Sequence, residues 1–452
     1  MFNKVSENTN LTSWLSYIDT VHPRNIELGL DRVQNVFSEM GLSRLADKIV
    51  IVAGTNGKGS CIAAMESILV KSGYSVGSYT SPHIKKFSER IKLNAIEYAD
   101  AQLCQALEAV ENSRQEVTLS YFEFATLAAF FLFSQESLDF ALLEVGLGGR
   151  LDAVNVVDAD VAIISSIALD HQDWLGEDLE SIAKEKAGIL RAGVPLIYGG
   201  DCSLKAIIEK AEILNAPLFL AGKEVRWSRN EDLLTWNWEG MGKKEKIKLS
   251  DLPLPSLELS NVSLAMQALF LLEIKTNRSA LDLALSQVFL PGRFEKRIDV
   301  RTSVRVIFDV AHNPESAKLL SKNLLGEKKN HNNVNQISVV IAVMADKDVG
   351  GILAGLECAI DNWYVTEVND SRCMTVAELT KQINLTIAGK VCASEKPIFE
   401  SYNQACTEAE IYGAANPGQE TLVVVTGSFH TVSALRELSV KDDLSRLSGI
   451  IN

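Results

Sequence analysis

The chain has 452 residues, beyond the roughly 250 to 300 at which one hydrophobic core stops growing, so two domains are expected. Its formal net charge of -14, from 58 acidic against 44 basic residues, argues against nucleic acid or an acidic membrane surface as the main partner. No apolar run reaches the roughly 18 residues of a membrane span, and the first residues lack an apolar signal core. With Cys61, Cys104, Cys202, Cys358, Cys373, Cys392 and Cys406 scattered without CxxC pairing, a cytoplasmic chain with reduced thiols and no zinc site is expected.

Residues 11–42 open with a helical pattern around Trp14, Leu15 and Ile18, pass through His22-Pro23, and resume at Leu30, Val33 and Phe37. Between them Asn25-Ile26-Glu27-Leu28-Gly29-Leu30 reads, on its residues alone, as a connector packing on the core. Residues 49–52 suit a buried parallel strand, which breaks into Gly54-Thr55-Asn56-Gly57-Lys58-Gly59-Ser60. Glycines let the backbone N–H groups turn onto an anion, and a helix over 61–70 would point its positive end at the same place. Lys58 adds a point charge and Ser60 a hydroxyl, so the stretch reads as a phosphate cradle. It departs from the usual P-loop spacing twice: Val52 stands at the leading glycine position, and Gly59 separates Lys58 from the hydroxyl.

Residues 75–79 form the next expected strand, followed by the loop Thr80-Ser81-Pro82-His83-Ile84-Lys85-Lys86, at the strand end where open α/β sheets bind ligands. A buried helix is expected over 121–134. A strand over 139–145 carries Glu144 near its end, a carboxylate that is expensive to bury unpaired and for which magnesium is a sensible partner. Another apolar strand, 161–167, runs into Asp170-His171-Gln172-Asp173-Trp174-Leu175-Gly176. In the helix expected over 178–189, Leu179, Ile182, Ala183 and Ala187 make the apolar stripe, and Lys186 falls on it while Lys184 faces solvent with Glu180. Such a lysine either snorkels out or is buried with a depressed pKa or altered chemistry.

Residues 195–222 give one more strand and helix, and 224–250 alternate in a pattern of β-hairpins that reads as a peripheral insertion. Helices over 261–274 and 281–289 lead to Pro291-Gly292-Arg293, taken as the boundary between a first domain, 1–292, and a second, 293–452. The second alternates strands (304–310, 337–343, 363–368, 422–426) with helices near 315–325, 376–385 and 401–414, a smaller α/β domain. Its first strand ends in Asp309-Val310-Ala311-His312-Asn313-Pro314.

The loop at 54–60, with both departures, resembles that of the ATP-dependent Mur ligase superfamily. Thr80-Ser81-Pro82-His83, Leu143-Glu144-Val145-Gly146-Leu147-Gly148-Gly149-Arg150-Leu151-Asp152, Glu185-Lys186-Ala187-Gly188-Ile189, Pro291-Gly292-Arg293 and residues 309–314 are similar to the folylpolyglutamate synthases. Residues 168–176 resemble the bacterial bifunctional dihydrofolate synthase branch of that family. The likeness runs in order from about residue 12 to 440. It departs at Asn94-Ala95, where Asn-Gly is commoner, and at Val262-Ser263 after Asn261.

The resemblance implies an α/β fold of two domains, a P-loop-type, mostly parallel sheet followed by a smaller Rossmann-like domain. It implies ATP held by Asn56, Gly57, Lys58, Gly59 and Ser60, and reached by Asn261, Arg293 and Asp309, with His312 near the same nucleotide. Ser81 and Glu144 would bind one magnesium ion; His171 and Lys186, the latter as a carbamate, would serve a second. Lys58, His171, Lys186 and His312 are the implied catalytic residues. A pterin substrate would lie against Ile26, Leu28, Ser120, Tyr121, Phe122, Glu123, Leu151, Asp152 and Ala153, which revises the connector reading of the early loop. The implied reaction joins L-glutamate to dihydropteroate or a folate through an acyl phosphate, in a monomeric enzyme, with Lys85, Lys86, Arg90 and Arg150 as candidate receivers of glutamate carboxylates. Two competing readings are a cell-wall Mur enzyme and a P-loop binding module that ligates nothing. The second would need neither Lys186 on its stripe nor Asp309 and His312.

Overall fold

A computed structural model describes residues 10–24, 27–42, 44–200, 204–230, 234–331, 333–387, 390–392, 397–436 and 440–442. Ile26 lies outside the described residues. The chain divides into two compact units, Met1–Phe289 and Leu290–Asn452.

The sheet of the first unit is built from β1 (Lys48–Ala53), β2 (Val76–Tyr79), β3 (Ile91–Leu93), β4 (Ile96–Glu97), β5 (Phe140–Glu144), β6 (Val161–Ile164), β7 (Leu196–Tyr198) and β8 (Leu218–Leu220). Their spatial order is β4-β3-β2-β5-β1-β6-β7-β8. All neighbours are parallel except the β2–β3 and β3–β4 pairs. β5 is buried at every position, which is why it reads as a continuous apolar run and not as an alternation. β3 and β4 are joined by Asn94 (φ 53°) and Ala95 (φ 66°), a two-residue turn with both residues left-handed. The helix Tyr121–Ser134 gives Phe124, Phe130 and Phe133 to the core, where Trp14 and Ile18 of Leu11–Val21 and Val33 and Val36 of Asp31–Glu39 join them. The hairpin region forms an antiparallel sheet of β9 (Arg226–Asn230), β10 (Thr235–Met241) and β11 (Lys246–Pro253). It buries Trp236 and Trp238, and Gln267 of the helix Leu259–Leu271 bonds both backbone groups of Met241, at 2.8 and 2.7 Å.

The second unit holds β12 (Glu295–Asp299), β13 (Arg305–Phe308), β14 (Val334–Ile341), β15 (Asn362–Val365), β16 (Lys390–Cys392), β17 (Glu420–Thr426) and β18 (Val440–Asp442). Their order is β16-β15-β14-β17-β13-β12-β18, parallel from β16 to β13 and antiparallel at β12 and β18. Helices such as Pro314–Asn330 follow the parallel strands, as the Rossmann-like expectation required. Asn313 caps that helix with Pro314 at its first turn.

Several elements carry no clear pattern in the sequence. The helices Asp100–Arg114, Val349–Leu356 and Phe429–Arg436 and the strands β3, β4, β8, β12, β16 and β18 were not expected. β6 ends at Ile164, not residue 167, because the next backbone groups turn to the loop after β1: Thr55 N–H donates to the Ser166 carbonyl at 2.8 Å. The helix Leu179–Lys186 closes in a 3-10 turn, Ala187–Ile189. Leu179, placed on the apolar stripe, is 40% exposed; it stands in the first turn, just past the Asp178 cap.

Candidate nucleotide and metal site

The loop after β1 turns on Gly54 (φ 147°) and Gly57 (φ 87°), conformations open to glycine at little strain. The helix begins at Lys58, not Cys61, so the lysine and Ser60 lie in its first turn, where unpaired N–H groups make an anion site. Lys58 Nζ donates to the carbonyls of Gly54 at 3.0 Å and Thr55 at 3.3 Å. A Cβ on Gly57 would land on the Asn261 carboxamide, and the Cys61 thiol donates to the Asn261 carbonyl at 3.5 Å. Asn261 therefore lies against the loop. Gly59 sits between Lys58 and Ser60 in the same turn.

The loop is fastened to the segment after β6. Asn56 N–H donates to Ser166 Oγ at 3.1 Å, and Ser165 Oγ donates to the Asn56 carbonyl at 2.6 Å. Thr55 Oγ1 accepts the Ala168 N–H at 3.0 Å and donates to the Ala168 carbonyl at 3.2 Å.

Around this loop stand the groups expected to hold metal. Glu144, at the end of β5, is buried and accepts the Ser81 N–H at 3.1 Å. Lys186 is 3% exposed, so it does not snorkel; its Nζ donates to the Gly54 carbonyl at 3.0 Å. Burial, reinforced by the charge of Lys58, lowers its pKa to about 7. Lys58 and Lys186 thus share one carbonyl. His171 follows Asp170, whose carboxylate accepts its N–H at 2.9 Å, and it holds a left-handed conformation (φ 52°, ψ 39°) at the start of the helix Gln172–Leu175.

A second group lies along the early loop. Gly29 N–H donates to the Leu151 carbonyl at 3.3 Å, which brings Leu28 beside residues 151–153. Asp152 is buried with Ala153 and accepts N–H groups from Leu147 at 2.9 Å and Val154 at 3.0 Å. Burial lifts its carboxyl to about 7 against those bonds. The Phe122 ring fills the space a Cβ on Gly146 would need, and Tyr121 meets Phe87 edge-on at 6.0 Å with Arg90 at 5.5 Å over its ring. Ser120 and Glu123 cap each other at the helix start, and Arg32 joins Glu123 to Glu27 at 2.9 and 2.6 Å. Arg90 is buried, donating to His83 at 2.8 Å; Lys85 and Lys86 are exposed, and Arg150 pairs with Glu185 at 2.9 Å.

In the second unit, Gly292 (φ 68°) and Phe294 (φ 46°) flank Arg293. Asp309 accepts the N–H groups of Phe294 at 2.8 Å and Ala311 at 2.9 Å, so its carboxylate holds that turn. His312 Nδ1 pairs with the Val310 carbonyl at 2.8 Å. The Phe429 ring lies 5.5 Å from the Arg293 guanidinium and 5.8 Å from the His312 ring, so the structure gathers Arg293, Asp309 and His312.

The model of the Mur ligase middle domain matches residues 52–224, and that of the Mur ligase glutamate ligase domain matches 292–429. The dihydrofolate synthase/folylpolyglutamate synthase of Escherichia coli K12 is 39% identical over 428 residues, 95% of each chain. This chain belongs to the dihydrofolate synthase/folylpolyglutamate synthase family of Mur ligases. The Haemophilus influenzae member is 33% identical over 94% of this chain and 96% of its own. Among solved members, E. coli FolC in complex with DHPP and ADP superposes with a TM-score of 0.85 at 37% identity, covering 95% of this chain and 98% of that one. A bifunctional folylpolyglutamate synthase/dihydrofolate synthase with Mn, AMPPNP and L-glutamate bound gives 0.83 at 35%, covering 96% and 98%.

Within this family member, the sequence reading passed over Thr55, Ser165, Ser166 and Phe429 as site residues. Hydroxyls on both sides of a strand end were the signal available for the first three. For Phe429, it was an aromatic following Gly427-Ser428 after an apolar strand.

Proposed function

We propose that this chain is an ATP-dependent amide ligase that adds L-glutamate to dihydropteroate and to folates, releasing ADP and phosphate. The observation that carries this reading is Lys186, a buried amine bonded to the same phosphate-loop carbonyl as Lys58. It is supported by full-length relatives of that name and by a related structure holding Mn, AMPPNP and L-glutamate. No helix of the described residues is long and apolar enough to cross a membrane. We assign the chain to the cytoplasm as a monomer, with the nucleotide and pterin residues in domain 1–292 and a glutamate ligase domain at 293–452.

The donor sets fit divalent metal. Glu144 offers a buried carboxylate beside Ser81, and magnesium takes one or two carboxylates and completes its shell with phosphates and water. An amine with a pKa of about 7 is substantially neutral at pH 7 and can attack carbon dioxide. The N–C bond forms, a proton leaves to water, and the carbamate offers an anionic oxygen that would serve as a metal ligand. Ser81 and Glu144 would hold one magnesium ion and His171 with carbamylated Lys186 a second, and these ions would supply charge neutralisation at the ATP phosphates.

The chain's own residues do the rest. Residues 56–60 present N–H groups and the Lys58 ammonium to the phosphates, with Asn261 against the loop; Arg293, Asp309 and His312, gathered within the second unit, are assigned to nucleotide by resemblance. Leu28, Tyr121, Phe122, Leu151 and Ala153 form an apolar wall for the pterin, with Ile26 assigned by resemblance. Asp152 supplies a carboxyl whose raised pKa suits donation to a ring nitrogen. Ser120 and Glu123 fix the helix that presents Tyr121 and Phe122. The substrate carboxylate attacks the γ-phosphorus, ADP leaves, the glutamate amine attacks the acyl carbon, and phosphate leaves with formation of the amide.

Phosphate release from MgATP with L-glutamate, measured separately with dihydropteroate, tetrahydrofolate and a UDP-sugar peptide, tests this. Stimulation by a pterin substrate is expected. Release stimulated by neither pterin would overturn the reading.

A further inference from the structure

We infer that Thr55 is a positioning residue that fixes the upstream end of the His171 segment relative to the phosphate loop, and so sets His171 for its metal. The inference rests on the reading that His171 serves a metal ion. The Thr55 hydroxyl spans 113 positions to make two bonds with one residue, accepting the Ala168 N–H at 3.0 Å and donating to the Ala168 carbonyl at 3.2 Å. Both capacities of the hydroxyl therefore hold one backbone unit. Thr55 N–H adds a third tie, to the Ser166 carbonyl at 2.8 Å.

From Ala168 only Leu169 and Asp170 intervene before His171, whose φ of 52° and ψ of 39° are left-handed. That conformation is unfavourable for an L-residue, and it persists only where the surroundings over-determine it. The downstream anchors are visible: Trp174 and Leu175 N–H groups donate to the His171 carbonyl at 2.9 and 3.0 Å. The upstream anchor is the Thr55–Ala168 pair, reinforced at Asp170 by its bond to the His171 N–H. The hydroxyl stands in the loop that cradles the phosphates, so the same residue gives the loop and the metal-bearing segment one register. Valine has the shape of threonine but would leave both Ala168 groups without this partner.

The test is binding of free Mn2+, followed by electron paramagnetic resonance in the presence of AMPPNP, for the full chain, Thr55→Val, Thr55→Ser, His171→Ala and the Thr55→Val/His171→Ala double variant. Thr55→Val should weaken the His171-dependent ion by roughly 10-fold or more, the range found when groups supporting a metal ligand are removed. Thr55→Ser should recover most of that loss. In the His171→Ala background, Thr55→Val should change Mn2+ binding less than about two-fold, because coupled residues are not additive. Wild-type binding by His171→Ala would remove the metal role of His171, and the inference with it. If His171→Ala loses an ion while Thr55→Val keeps it, or the two losses add in the double variant, the positioning role alone is overturned. Should Thr55→Val fail to fold, Thr55→Cys, which differs from the serine variant only in a thiol that weakens both bonds, is compared with Thr55→Ser in the same titration.

Discussion

The carboxyl edges of the two sheets handle charge in opposite ways. At the first, Lys186 and Asp152 are buried and their pKa values are pulled toward each other, both to about 7. At the second, carboxylates are saturated. Asp370 is held at about 2 by the Arg372 side chain and backbone. The same saturation holds at the opposite edge, where Asp299 stands level with the start of β13: burial alone would raise it, but Arg301, Thr302 and Tyr402 bring it below its usual range. Glu295, buried on β12, accepts the Gly292 N–H at 2.7 Å, Arg297 at 2.6 Å and Arg436 at 2.9 Å. The lesson is one of division: the first edge keeps groups poised to change protonation or be modified, and the second uses charge as scaffolding.

The contrast is broken most sharply at Lys186. Lys186→Met keeps the apolar stripe and removes the amine, so ligation should fall on the order of 10³-fold or more while nucleotide binding and cooperative unfolding survive. Phosphate release and ADP titration check this. A fully active variant would show the first edge to be scaffolding too. Next in size, Glu295→Ala should leave Arg297, Arg436 and the Gly292 N–H without their shared acceptor and cost about 3 to 5 kcal/mol in urea unfolding. A smaller loss would mean that the second edge does not depend on this glutamate.

The poised pair has a pH signature. Asp152 binds its proton more tightly folded than unfolded, so the stability it contributes is present below pH 3.8 and is lost as pH rises through about 7. Lys186 binds its proton less tightly folded, so its contribution is present above pH 10.5 and is lost as pH falls through about 7. Their joint contribution is therefore lowest near neutrality. In denaturant unfolding across pH, Asp152→Asn should flatten the fall between pH 4 and 7, and Lys186→Met the rise between pH 7 and 10, each by about 4 kcal/mol. Parallel curves for wild type and variants would remove the distinction between the edges. The smallest effect lies at neither edge. Ala95, left-handed at φ 66°, takes a place suited to glycine, so Ala95→Gly should stabilise the β3–β4 turn by about 0.5 to 1 kcal/mol, read as a raised melting temperature with unchanged ligation.

The sequence made the phosphate loop, Glu144 and Lys186 visible because each breaks a local pattern: glycines in an apolar run, a carboxylate closing a strand, a cation on an apolar stripe. Where the chain's own partners lie far off, the reading failed. Nothing near Thr55 points to Ala168, and nothing near Lys186 points to the Gly54 carbonyl. β12 escapes notice because Glu-Lys-Arg-Ile-Asp has the composition of a surface loop; Glu295 is buried there against the distant Arg436, and Asp299 beside β18 with the nearby Arg301. The helix start was set three residues late because Lys58, Gly59 and Ser60 have the composition of a loop, yet they form the first turn.

The contact between Gly57 and Asn261 has a consequence for synthesis on the ribosome. The floor of the phosphate loop comes from a helix about two hundred residues downstream, and that helix is itself steadied by Gln267 against β10. A nascent chain that already carries the whole glycine loop therefore still lacks part of its binding surface. On the proposed nucleotide assignment, ATP meets the complete loop only after residues 259–271 have emerged and docked, so its stabilisation should fall mainly on a nearly finished first unit.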